Sequence, residues 1–260
     1  MLNYDFIIEK SKKERIDRVT IEREYWQLIF LQLLYQESYS EKIYFKGGTA
    51  IRFLYRSFRF SEDLDFTSIL KKEETEKLLL KILDFLKNNA NIDYKKEKIL
   101  DKFADLGFSY KLFFYPFNLK QKTSIRIDFS FREKPKTKEV KVIIPFDYPI
   151  TPYPLVVSLS KEEILAEKIR ALFYRGKPRD LFDLWFLLTK KTEIDEKLIN
   201  LKFKYYPGLK FSFQKLVKIV EEYNEKELKK DLNQFLPEHY RHFYRQLKEE
   251  TLNLLKMRQN

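Results

Sequence analysis

Cysteine is absent from this 260-residue chain, and histidine and methionine occur only twice each. Without thiols there is no disulfide framework, no thiolate zinc centre and no cysteine nucleophile. The two histidines, His239 and His242, stand in EHYRH with no third ligand nearby, so they read as surface or RNA-facing groups rather than metal ligands. Serine–histidine catalysis has little to build on. No apolar run reaches the roughly 18 residues of a membrane span, and charges interrupt the N-terminus where a signal peptide needs apolar residues. The expectation is therefore a soluble, cytoplasmic chain with no membrane partner. Internal repeats, low-complexity tracts and a helix-turn-helix pattern are also missing, which speaks against a DNA-binding regulator. Few sulfur residues beside abundant Lys and Glu match the bias of heat-adapted proteins.

What is present is aromatic and basic. Phe and Tyr number 24 and 17, hydrophobic residues make up 44% and charged residues 35%, a globular balance. The net charge of +12 points to a polyanion such as RNA, held less tightly as salt rises, or to a lysine-rich solvated surface. At roughly 150 residues per domain, two domains are expected. Pro145, Pro149, Pro152 and Pro154 crowd one stretch, where neither helix nor ladder continues, and this places the boundary near residue 156. The expected units are a catalytic domain over 1–155 and a helical domain over 156–260.

The fold class expected is α+β, with an N-terminal α/β domain around a mixed sheet and a C-terminal α-helical domain. Helical spacing runs from 19 to 38 through Ile21, Trp26, Ile29, Phe30, Leu33 and Leu34, and from 73 to 88 with Leu78, Leu79, Ile82, Leu83 and Phe85 as the buried stripe. Strands are expected at 43–45, 63–67, 108–115, 123–132 and 140–144. Beyond residue 156, Ser160 with Glu163 begins a capped helix that runs to Phe173, and Gly176 and Pro178 separate it from the next.

The chemistry concentrates in FKGGTAIRFLYRSFRFSEDLDF, residues 45–66. Gly47 and Gly48 let a backbone approach a ligand closely, and with Thr49 they open a helix whose first N–H groups suit phosphate. A tight turn with a solvated strand end is the plainer reading of the same letters. On a strand Asp63 and Asp65 share one face while Leu64 and Phe66 share the other. Paired hard oxygen ligands suit Mg²⁺ or Mn²⁺, with a nucleotide's phosphates completing the shell. In TSIRIDFSFR, alternation sets Asp128 apart from Ile125, Ile127, Phe129 and Phe131, so it projects beside the acidic pair if the strands neighbour one another. There it would be a third metal ligand or would accept a proton from an incoming hydroxyl. Lys168 lies on the apolar stripe of EEILAEKIRALF, where it either snorkels to water or reaches a triphosphate. Asp180 and Asp183 fall one helical turn apart, after Arg175, Lys177 and Arg179, in a first turn that favours acids in any case.

Together, KGGTAIRFLY…SEDLDF and AEKIRALFYRGKPRDLFDL resemble the AbiEii/AbiGii toxin family, within the DNA polymerase beta-like nucleotidyltransferase superfamily, over residues 20 to 190. Thr49 stands where the wider superfamily commonly shows serine, so the hydroxyl is kept. The resemblance implies that Asp63 and Asp65 bind metal, that Lys168 is functional, and that one of Asp180 and Asp183 belongs to the site. Gly47, Gly48, Thr49, Lys168 and Arg179 would bind the nucleotide, and Asp128 would join the metal ligands. It further implies a metal-dependent transfer of NMP from an NTP to the tRNA 3′ end, with a cognate antitoxin as partner. The same pocket could instead serve a protein hydroxyl or move a phosphate, and the rival from another class is a noncatalytic RNA-binding protein.

Overall fold

A computed structural model describes residues 3–98 and 104–258. The chain divides into two compact units, Met1–Leu159 and Ser160–Asn260.

The first unit is built on a seven-stranded mixed sheet: β1 (Ile43–Lys46), β2 (Leu64–Ser68), β3 (Asp93–Glu97), β4 (Gly107–Phe114), β5 (Thr123–Ser130), β6 (Glu139–Val142) and β7 (Leu155–Ser158). The order across it is β3-β4-β5-β2-β1-β7-β6. The β2–β5 and β1–β7 pairs are parallel and the others antiparallel. Period-two alternation in TSIRIDFS buries Ile125, Ile127 and Phe129. Phe129 stacks on Phe66 with ring centroids 4.9 Å apart, and Phe108 and Phe45 extend that aromatic row. Two strands were not legible beforehand. β3, reading DYKKE, has almost no apolar content, and β7 follows the prolines yet lies inside the sheet beside β1. The boundary expected near 156 thus falls within a strand.

Four helices accompany the sheet: α1 (Tyr4–Glu14), α2 (Arg18–Leu34), α3 (Gly47–Tyr55) and α4 (Lys72–Ala90). α2 buries Leu28 and Leu31 rather than Ile29 and Leu33, and also Glu24, whose carboxylate takes Arg52 Nε at 2.7 Å and the Tyr148 hydroxyl at 3.0 Å. A helix walled on several sides lacks a single stripe, which is why amphipathic spacing misreads it. In α4, Leu79, Ile82, Leu83 and Leu86 are buried while Phe85 is exposed, since 3.6-residue spacing from Leu79 passes through 82, 83 and 86.

The second unit is helical: α5 (Lys161–Tyr174), α6 (Pro178–Thr189), α7 (Glu196–Phe203), α8 (Phe213–Glu222), α9 (Glu225–Leu232) and α10 (Tyr244–Lys256). Ser160 caps α5 by accepting from the Glu163 N–H, and Gly176 at φ 56° turns the chain towards Pro178 at the first position of α6. α6 is buried along almost its whole length, with Trp185 packed on Phe243 at 4.4 Å. Lys202 of α7 lies buried between Glu163 at 2.6 Å and Glu167 at 3.1 Å. Among the described residues no helix is long and apolar enough to cross a membrane.

Candidate active site

At the end of β1 the chain turns through Gly47 at φ 80°, in the left-handed region that favours glycine. The glycine pair is demanded from inside the protein. A Cβ on Gly47 would run into the Asp65 carboxylate, with the Asp65 Cβ and Cγ only 2.9 Å away, and one on Gly48 would meet the Arg59 guanidinium and Ser61 Oγ. Missing side chains thus make room for Asp65 and for Arg59, one of the largest fully buried side chains. Lys46, the residue before α3, provides no side-chain cap to the helix N-terminus. Thr49 is fully buried, and its hydroxyl donates to the Asp63 carbonyl, clamping the backbone just before β2.

The parallel pairing of β2 and β5 sets Asp65 opposite Asp128. Carried across neighbouring strands, the same row contains Ser109 on β4 and Lys46 on β1. Asp63 stands one residue before β2, so it belongs to the strand's mouth rather than the ladder. Arg126 Nε lies 3.0 Å from Ser109 Oγ and 3.1 Å from Asp128 Oδ1, and Glu97 Oε2 is 3.8 Å away. Burial pushes the Asp128 carboxyl above the ordinary range and the charge of Asp63 adds to it, against the Ser109 hydroxyl and Arg126.

In the second unit Lys168, Asp180 and Asp183 form one cluster. The Lys168 ammonium is 3.2 Å from Asp180 Oδ1 and 2.6 Å from Asp183 Oδ2, and both carboxylates are fully buried. Arg175 grips Asp180 through Nε and Nη2 at 2.8 and 2.9 Å. Burial alone would raise the Asp180 carboxyl, but Lys168 and the bidentate Arg175 bring it down to about 2. Lys168 therefore does not snorkel, and the i, i+3 spacing of the aspartates puts both on the face that receives it. Arg179 sits apart from this cluster, its backbone N–H on Asp231 at 3.1 Å and its guanidinium 4.9 Å over the Phe235 ring.

The sequence-predicted residues thus assemble as Gly47, Gly48, Thr49, Asp63, Asp65 and Asp128 in one unit and Lys168, Asp180 and Asp183 in the other. Lys46, Arg59, Ser109 and Arg126 are the additions. Arg126 was within reach of the sequence, because it shares the polar face of β5 with Asp128, whereas Ser109 is identified only by strand register.

Among the described residues no three His, Asp or Glu side chains converge as a ready metal nest. Mg²⁺ does not require one, since it is commonly held by one or two carboxylates together with substrate phosphates and water. Two aspartates in register supply hard oxygen donors of that kind, so the residues fit such an ion.

Comparison with known proteins agrees with this fold. JHP933 from Helicobacter pylori superposes with a TM-score of 0.55 at 20% identity, covering 94% of this chain and 95% of that one. MenT4, a nucleotidyltransferase toxin from Mycobacterium tuberculosis H37Rv, gives a TM-score of 0.66 at 16% identity, covering 98% and 90%. An uncharacterized protein of Aquifex aeolicus (strain VF5) is 25% identical over 211 residues, 81% of this chain and 88% of that protein. The model of the family described as nucleotidyl transferase AbiEii toxin, type IV TA system, matches residues 29–253, well past the two motif blocks. The chain accordingly belongs to the AbiEii nucleotidyltransferase toxins, enzymes that transfer a nucleotidyl group from an NTP.

Proposed function

We propose that the acceptor is the 3′ end of an RNA of the tRNA kind, and that the transfer takes place at the row of Asp65 and Asp128 beside the Gly47–Gly48 turn. The observation that supports this location most directly is the in-register placement of the two carboxylates on β2 and β5. Asp65 and Asp128 would hold a divalent ion, Mg²⁺ or Mn²⁺, with Asp63 as a further donor from the mouth of β2, and the ion when bound would supply charge neutralisation for the triphosphate. The N-terminus of α3 at Gly47 and Gly48 faces the phosphates. Thr49 acts by positioning, because its hydroxyl fixes the main chain at Asp63.

In the reaction the acceptor hydroxyl oxygen bonds to the α-phosphorus as the bond to the bridging oxygen breaks, and pyrophosphate leaves with that electron pair. The acceptor's proton passes to Asp128 if that carboxylate stands free of the ion. Lys168, whose ammonium is fixed by Asp180 and Asp183, and Arg179 are the nucleotide-binding cations assigned to the helical unit. A cognate antitoxin restrains the enzyme.

Labelled NTP transfer onto total RNA, with wild type beside Asp65→Asn and with Mg²⁺ or a chelator, tests the assignment. Labelling only by wild type with the ion present supports it. Equal labelling by the variant, or transfer that ignores the chelator, defeats it.

A further inference from the structure

The register that places Asp128 also fixes what lies on the same face of the sheet beyond it. Moving along β5 away from Asp128, the next residue on that face is Arg126, which pairs with Lys111 on β4, and Lys111 in turn pairs with Lys95 on β3. One step further comes Ser124, paired with Phe113. The opposite face carries Phe108, Tyr110, Leu112, Ile125, Ile127 and Phe129, all at most 5% exposed, so the polar face is the one turned outward. Rows on one face are about 7 Å apart, two residues of rise. A row of cations therefore follows the carboxylates, and Phe113, between Ser124 and Asp93, follows the cations.

A second aromatic residue follows Phe113 in the loop that joins β4 to β5. Tyr115 is 55% exposed. Lys122 Nζ sits 5.5 Å from the Phe113 ring centroid and 5.4 Å from that of Tyr115, which ties the loop residue to the strand residue. The loop is anchored elsewhere: the Phe117 N–H donates to both Glu22 oxygens on α2 at 3.1 Å, and Arg23 reaches Thr123 at 3.2 Å. A displayed tyrosine on an anchored loop is a stacking platform that loses little order on binding.

Charge on this face favours a polyanion. Lys95, Lys111, Lys122 and Arg126 outnumber Glu97, Asp93 and Asp128, the acids paired with them. The ion pairs they make, Lys111 to Glu97 at 2.8 Å and Lys122 to Asp93 at 3.6 Å, are partly exposed and exchange for phosphate at small cost. Aromatic rings interleaved with cations along a groove are the pattern by which single-stranded nucleic acid is held, bases on rings and backbone on charge.

We propose that the outward face of β3, β4 and β5 is the seat of the acceptor strand, with a single-stranded RNA end stacking a base on Tyr115, its backbone crossing Lys122, Lys111 and Arg126, and its terminal hydroxyl delivered at Asp128. This rests on the reading of Asp65 and Asp128 as the transfer site. It places acceptor binding in the sheet unit.

The test is fluorescence anisotropy of a 5′-labelled ten-nucleotide single-stranded RNA with the full chain, comparing wild type, Tyr115→Ala, Tyr115→Phe, Lys122→Gln and the Tyr115→Ala/Lys122→Gln pair. Tyr115→Ala is expected to weaken binding about tenfold, Tyr115→Phe to bind as wild type, and Lys122→Gln to flatten the salt dependence by about 0.7 in log–log slope. A blunt duplex of the same length is expected to bind at least about tenfold more weakly than the single strand, since its bases are not free to stack on Tyr115. Unchanged affinity in the double variant, or equal affinity for duplex and single strand, overturns the track. The two readings separate cleanly. RNA binding that depends on Tyr115 in a protein that labels no RNA keeps the track and removes the transfer. RNA labelling of equal efficiency by wild type and the double variant does the reverse.

Discussion

Asp128 and Asp180 are both carboxylates withdrawn from water beside an arginine, yet their proton affinities move in opposite directions. Asp180 is fully buried and is brought down to about 2, whereas Asp128, with 30% of its side chain exposed, is pushed up. Depth alone would give the reverse order. The difference lies in the neighbours: Asp180 receives the Lys168 ammonium and two guanidinium N–H groups, while Asp128 has one N–H from Arg126, the Ser109 hydroxyl, and the charge of Asp63 working against it. Asp180 has its counter-charges inside the protein already. A carboxylate left short of positive charge suits a cation brought from outside.

The largest effect that separates the two clusters is expected from Asp65→Asn. Transfer should fall about ten-thousandfold, ~5 kcal/mol in the barrier, while the melting temperature stays near that of wild type because the exchange keeps the side chain's size and shape. Calorimetry beside the transfer assay checks both halves, and a variant that loses activity by unfolding would erase the contrast. Asp183→Ala should do the opposite. It strips Lys168 of its 2.6 Å partner inside a buried cluster, and breaking such a pair typically costs about 3–5 kcal/mol. Chemical denaturation should register that loss; a change under about 1 kcal/mol would mean that Asp180 and Arg175 compensate and that the cluster is not a structural knot.

How much of this was legible in the letters depends on the range of the interaction. The glycine pair, Asp63-Leu64-Asp65 and the alternation around Asp128 are local patterns, and so they could be read, down to the polar face that Asp128 shares with Arg126. Ser109 and Lys46 belong to the site only because β4 and β1 fall in register with β5 and β2, a long-range pairing with no local signal. The letters suggest that Gly47 makes room for a ligand, whereas the group that crowds it inside the protein is Asp65. The spacing of Asp180 and Asp183 puts them one turn apart, but that a single ammonium binds both is visible only in the fold. β3 and β7 escaped because a lysine-rich edge strand and a strand after prolines lack the alternation that marks the others. The noncatalytic RNA-binding alternative falls with membership of an enzyme family.

Acid sharpens the comparison further. Asp180 ionises near pH 2 in the folded chain and near about 3.9 when unfolded, so the stability it contributes is whole above about pH 5 and drains away as pH falls towards 2, a loss of about 2–3 kcal/mol. Asp128 has the opposite sign: its folded carboxyl binds a proton more readily than the unfolded one, so ionisation works against the fold and acidification relieves it. Thermal unfolding followed from pH 7 to pH 2 should show a steep acid limb in wild type that flattens in Asp180→Asn and persists in Asp128→Asn. Equal flattening in both variants would mean that the two carboxylates are not distinguished as their surroundings suggest.

The smallest change expected to matter is Ser109→Ala. Ser109 Oγ lies beside Arg126 Nε at 3.0 Å, and its hydroxyl is among the groups that hold the Asp128 carboxyl down, so losing it leaves Arg126 alone in that work. A single net hydrogen bond is worth about 0.5–1.5 kcal/mol, too little to disturb the sheet. The consequence should instead appear in the pH profile of transfer, whose acidic limb should move upward as Asp128 holds its proton more tightly, with the plateau rate little changed. Lys111→Ala, one row further from the carboxylates, should leave that limb in place and weaken RNA binding instead. If Ser109→Ala shifts nothing while Lys111→Ala shifts the limb, then the row that governs Asp128 is the cationic one, and the in-register serine is only a space-filler between strands.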